Sequence, residues 1–133
     1  MYQITAVFNK ANLNDVLQEL YESNIEGVTL SEVIGKGGLG FTEASGATDL
    51  YQKVMAVIVV SDDKHKEVAM EAIRANCQDL GNGAGKIWVT PVLEVERIRT
   101  GEKNESALSQ SAPPRSKLKL KNSDFTAIDT PSS

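Results

Sequence analysis

The sequence predicts an α+β domain, one antiparallel sheet with two helices on one of its faces, and three observations lead there. Apolar residues recur at helical spacing in two segments, around Leu13–Tyr21 and Val68–Cys77. Short β-favouring runs stand before and after each of them. A glycine-rich stretch separates two halves of the same order, β-α-β and then β-α-β.

Ile4–Phe8 is apolar and β-favouring and reads as a central strand. Leu13, Val16, Leu17, Leu20 and Tyr21 then fall at i, i+3, i+4, i+7 and i+8, one apolar helix face, with Asn12 as the expected N-cap and Gly27 as the break. Val28–Gly35 reads as a second strand. From 35 to 53 the chain carries Gly35, Gly37, Gly38, Gly40 and Gly46 among Thr and Ser, which cannot build a core and are expected to form a mobile loop. Val54–Val60 is continuously apolar, as a buried strand is. Ser61-Asp62-Asp63 is placed to cap a helix whose inner face is Val68, Ala69, Ala72, Ile73 and Cys77. A second glycine loop, 80–85, leads into a short strand at Lys86–Thr90, and Leu93–Thr100 continues as further β or irregular structure. The order βαββαβ is that of the ferredoxin-like sandwich.

Residues 1–103 are expected to be this domain. From 104 to 133 the sequence turns polar and rich in Ser and Pro, includes the alternation Lys117-Leu118-Lys119-Leu120-Lys121, and reads as a flexible tail; the alternation also suits an edge strand or docking peptide. The chain has 133 residues, and 14 Lys and Arg stand against 18 Asp and Glu. The resulting net charge of −4 argues against bulk nucleic-acid binding. A lone Cys77 makes no intrachain disulfide. The N-terminus lacks a signal-peptide pattern, and the expected location is the cytoplasm.

Chemistry concentrates near the second glycine loop. Gly83 and Gly85 precede Lys86, and Arg97 and Arg99 follow a short strand later. Glycine lets backbone N–H groups approach a phosphate, Lys supplies a mobile point charge and Arg a planar fork. If the segment is extended, Arg97 and Arg99 point to the same side. Together these suggest a polyphosphate site, although neither a P-loop nor a dinucleotide fingerprint is present. Tight turns beside a solvated basic edge would explain the same residues. His65 is expected on the helix surface, Cys77 in the core, Trp88 in packing, and Glu94 and Glu96 facing solvent or a neighbouring subunit.

Gly83-Ala84-Gly85-Lys86-Ile87-Trp88-Val89, followed by Arg97-Ile98-Arg99-Thr100-Gly101-Glu102, resembles the C-terminal signature of PII signal-transduction proteins. Thr29–Gly37 resembles the stretch that leads into that family's T-loop, here about residues 36–53. The resemblance covers roughly residues 1 to 105 and implies a homotrimer with adenine-nucleotide sites between subunits. It assigns phosphate to Gly83, Gly85, Lys86, Arg97 and Arg99, the base to Thr29, Val57 and Val59, and the T-loop base to Gly35 and Gly37. ATP or ADP is the implied ligand, with Mg²⁺ left open.

Departures carry information too. Family members that bind 2-oxoglutarate have a glutamine where this chain has Leu39, which offers no oxygen to a hard cation. The preceding position is Gly38, and the T-loop is shorter than usual. Lys53 matches a lysine near the oxo-acid site, whereas Tyr51 reads as a loop-base residue and not as a modification target. The expectation is a non-enzymatic energy sensor with a weak or absent 2-oxoglutarate response. It would act through the T-loop on a protein target, for instance a membrane transporter or its regulator, in nitrogen or transport regulation. The alternatives are a PII-like sensor of another small ligand (a cyclic nucleotide, bicarbonate or a metal), a slow nucleotide hydrolase, and a structural trimer with a vestigial site.

Overall fold

A computed structural model describes residues 1–42, 47–78 and 84–108. The elements run β1 (Tyr2–Asn9), a 3-10 turn (Lys10–Asn12), α1 (Leu13–Glu22), β2 (Val28–Thr42), β3 (Ala47–Val60), α2 (Asp63–Ala75), β4 (Gly85–Pro91) and a second 3-10 turn (Asn104–Ala107). The four strands form one antiparallel sheet in the order β2-β3-β1-β4, the ferredoxin-like arrangement expected from the sequence.

Register decides which side chains reach the core. Ile4 pairs with Ile58, Ala6 with Ala56 and Phe8 with Val54, and directly opposed residues project on the same face. These residues are buried with Val16 and Leu20 of α1 and Ala69, Ala72 and Ile73 of α2, so both helices cover one face of the sheet. Each such large apolar side chain contributes about 1.5–3 kcal/mol by leaving water. Glu19 accepts a hydrogen bond of 2.9 Å from Asn76 Nδ2, tying the first helix to the end of the second.

Helix α1 departs from expectation at both ends. Asn12 holds the N-cap position without a side-chain cap, because the preceding 3-10 turn already satisfies the amide of Leu13 with the Lys10 carbonyl. The stop is at Asn24, not Gly27. Asn24 adopts a φ of 64°, its amide donates to Tyr21 O, and the amide of Ile25 donates to Leu20 O. That is a Schellman ending, sealed by contact-forming positions that are both buried, Leu20 and Ile25. Tyr21 is 71 % exposed, since it lies about 100° round the helix from Leu20 and falls outside the buried stripe. Helix α2 starts as expected: Asp62 Oδ1 accepts from the His65 amide at 2.9 Å.

The glycine-rich stretch is paired strand where a loop was expected. β2 and β3 continue beyond the core as a two-stranded arm, Gly35 opposite Tyr51 and Lys36 opposite Leu50, then Phe41 opposite Thr48 after a register shift. Ladder bonds use only the backbone, so a run without apolar periodicity can still pair. The irregularity lies between Lys36 and Phe41, where Gly37, Gly38 and Gly40 cluster. Beyond β4 the chain is irregular, with an isolated bridge between Glu96 and Lys103. Among the described residues no helix is long and apolar enough to cross a membrane. Residues 109–133, including the Lys-Leu alternation, lie outside the described residues.

Candidate functional site

The side of the sheet away from the helices carries the candidate residues in rows. Thr29 of β2 pairs with Val57 of β3, Val57 with Thr5 of β1, and Thr5 with Trp88 of β4. The next row runs Ser31, Met55, Val7, Lys86. Thr29 and Lys86 therefore stand on opposite edge strands, which lie about 14 Å apart across three strand spacings, and one row apart along them. Val57 and Val59 are half-buried on this open face, Thr5 is buried, and Trp88 is 43 % exposed rather than packed away.

Gly85 opens β4 under a steric demand. Its φ is 121°, and a Cβ there would stand 2.1 Å from the Val7 carbonyl oxygen and 3.0 Å from Phe8 Cα. No L side chain fits that approach of β4 to β1. Lys86 comes next and is exposed at the sheet edge. Gly83 lies outside the described residues.

At the root of the arm Lys53 is buried, opposite Asn9 on one side and Val33 on the other, and its Nζ donates to Asn9 Oδ1 at 2.8 Å. Gly35 lies against its stem: a Cβ at Gly35 would meet Lys53 Cγ at 3.2 Å. Sequence reasoning found Lys53 and Gly35 but missed Asn9, whose only signal was a polar residue closing β1. Gly37 lies farther out on β2.

Arg97 and Arg99 do not share an extended strand. The Arg97 carbonyl accepts from the Gly101 amide at 2.7 Å, and residues 98–100 form the turn between. Arg97 is half-buried, with Nε 3.3 Å from Glu102 Oε1 and an Nη donating to the Ala107 carbonyl at 3.0 Å, whereas Arg99 is exposed. Glu94 and Glu96 both meet Lys103, at 3.0 and 3.5 Å.

His65 is buried, contrary to its expected surface place. It shares a helical face with Ala69, Ala72 and Ile73, a spacing legible in the sequence, and its Nδ1 is 2.7 Å from Asp62 Oδ1. The Ser61 hydroxyl approaches that same nitrogen at 3.4 Å. A nucleophilic triad needs serine and aspartate on different ring nitrogens, so Ser61, His65 and Asp62 do not form one. The backbone amide of His65, donating to it, holds the Asp62 carboxyl below the usual carboxylate range. Among the described residues no group of His, Cys, Asp and Glu is placed to hold a metal. Cys77 is buried as expected and lines a cavity of about 370 Å³ between the end of α2 and the start of β4, with Ile73, Arg74, Gly85 and Lys86.

Comparison with known proteins agrees with this arrangement. The family model of nitrogen regulatory protein P-II matches residues 1–102. Nitrogen regulatory protein P-II of Azospirillum brasilense is 38 % identical over 117 residues, covering 81 % of this chain and 100 % of that protein. P-II 1 of Methanothermobacter thermautotrophicus is 40 % identical over 113 residues, covering 81 % and 97 %. The solved structure of the B. subtilis GlnK–ATP complex superposes with a TM-score of 0.67 at 28 % identity, over 80 % of this chain and 94 % of that one. With its βαββαβ sheet, its Gly85–Lys86 start to β4 and a family match through residue 102, this chain belongs to the nitrogen regulatory protein P-II family.

Proposed function

We propose that this chain is a homotrimeric P-II regulator that binds ATP or ADP in clefts between protomers and reports the nucleotide state to a cytoplasmic-side protein target through the β2–β3 arm. The observation that carries the reading is the likeness, over four-fifths of the chain, to a GlnK solved with ATP. The residues present suit that ligand. Lys86, Arg97 and Arg99 supply three cations, chemistry that matches a polyphosphate better than a singly charged anion. Gly85 allows β4 to begin tightly against β1, which puts Lys86 at the sheet edge.

The intersubunit placement is supported by the sheet itself. Thr29 and Val57, assigned to the base, belong to the β2–β3 side, while Gly85 and Lys86 belong to the far edge. A cleft between two copies brings the β2–β3 side of one near the β4 edge of another. The half-buried Val57, Val59 and Met55 and the exposed Trp88 supply an apolar face for such packing. In this reading Gly35 at the root of the arm and Gly37 farther out on β2 couple the ligand to the arm's conformation, and coupling requires different nucleotide affinities for two arm states. A transporter or its regulator is the partner class we infer. Leu39 leaves Mg²⁺ without a side-chain oxygen at its position, which puts ADP on more equal terms with ATP and makes the protein a sensor of their ratio.

Calorimetric titration with ATP and ADP, each with and without Mg²⁺, tests this. Binding of both that is lost in Lys86→Ala and Arg97→Ala is the expected result. Failure of either nucleotide to bind the unmodified chain would remove the reading.

A further inference from the structure

Arg97 already has partners within its own chain. Its guanidinium already has a carboxylate, Glu102 Oε1, at 3.3 Å and a carbonyl, that of Ala107, at 3.0 Å. The segment that supplies them is tied down on both sides. The Arg97 amide donates to Glu102 O at 2.8 Å, and the Asn104 amide donates to Val95 O at 2.7 Å. Asn104 Oδ1 in turn accepts from the Val95 amide at 3.2 Å, and Lys103 meets Glu94 at 3.0 Å. Asn104 adopts a φ of 55°, which turns the chain back so that the Ala107 carbonyl reaches the arginine. The family model ends at residue 102, just short of the 3-10 turn Asn104–Ala107.

Glu102 pairs with the Arg97 guanidinium by charge, with no hydrogen bond from Nε, while the Ala107 carbonyl takes an Nη donor, and a phosphate would address the same planar fork. Resting on the nucleotide reading above, we propose that residues 102–108 form a clasp which holds the Arg97 guanidinium where a ligand phosphate would take it, so that nucleotide binding and release of this segment are coupled. Thr100 Oγ1, which donates to Glu102 Oε1 at 3.0 Å, steadies the carboxylate in the closed form. The coupling is modest by construction: Arg97 and Glu102 side chains are 36 % and 49 % exposed, and ion pairs of that kind carry small energies.

The test uses the full chain and ATP as the probe. Glu102→Gln keeps the shape and removes the competing charge, and it is expected to bind ATP about threefold more tightly than the unmodified protein. In the unmodified protein, saturating ATP is expected to speed hydrogen exchange at the Asn104 amide while the amides of the buried α2 residues Ala72 and Ile73 are unchanged. Equal or weaker ATP binding by Glu102→Gln, with binding still lost in Arg97→Ala, overturns the clasp and leaves the phosphate role of Arg97 standing. Absence of ATP binding to the unmodified chain overturns both.

Discussion

Thr29 and Lys86 both face the open side of the sheet, yet they sit on its two opposite edge strands, β2 and β4. The strands between them carry Val57 with Met55, and Thr5 with Val7, so the open face between the two residues is largely apolar. A nucleotide touching both within one copy would have to lay its polar triphosphate along that face, at the cost of leaving charge against apolar surface. In the proposed homotrimer, the same residues from two copies would line one cleft, with a base end and a phosphate end.

Gly85 and Gly27 separate conformational strain from collision. Gly27 has a φ of 78° and nothing within 4 Å of a would-be Cβ, so Gly27→Ala should cost about 1 kcal/mol through backbone strain alone. At Gly85 the same change drives a methyl into the Val7 carbonyl and is expected to cost roughly 2–4 kcal/mol and to weaken nucleotide binding. Denaturant unfolding of the two variants checks the difference; equal losses would contradict it.

Asp62 makes stability pH-dependent in a stated direction. Its folded-state pKa is depressed, first by the His65 amide, so it contributes stability that is present above the unfolded carboxyl pKa of about 4 and is lost as pH falls through the folded value. Asp62→Ala should lose about 1 kcal/mol at neutral pH through the missing cap, with the gap to the unmodified protein closing in acid. Urea midpoints at pH 7 and near pH 3 measure this, and a gap that widens in acid would be contrary.

Leu39 sets the expected ligand response. Titrating 2-oxoglutarate into the protein loaded with Mg²⁺ and ATP should give little heat and little change in ATP affinity. A tenfold gain in ATP affinity on adding the oxo acid would show that another group replaces the missing oxygen.

The strand and helix order was legible because burial leaves a period, two along Ile4, Ala6 and Phe8 and 3.6 along Val16 and Leu20. His65 was legible too, four residues before Ala69 on the same face, but its polar character argued for solvent. The β2–β3 arm was hidden because backbone pairing leaves no mark in a run of glycines. The end of α1 was hidden because Asn24 takes the left-handed conformation that glycine was expected to supply. Spacing in the sequence put Arg97 and Arg99 on one side of a strand, whereas the bond from Gly101 to Arg97 makes a turn of that stretch. The partner of Arg97, Glu102, sits just across that turn, and only the folded chain shows the Ala107 carbonyl beside it.

Subunit complementation tests the shared site most directly. Thr29→Glu and Lys86→Ala each change an exposed edge residue, so both chains should fold, and each alone should bind ATP poorly. Unfolded together and refolded as a mixture, they should regain ATP binding at the fraction of clefts that pair an intact Thr29 side with an intact Lys86 edge. A mixture that binds ATP no better than its two parents, with mixed oligomers confirmed by native mass spectrometry, would place both residues in one copy's site or outside it altogether.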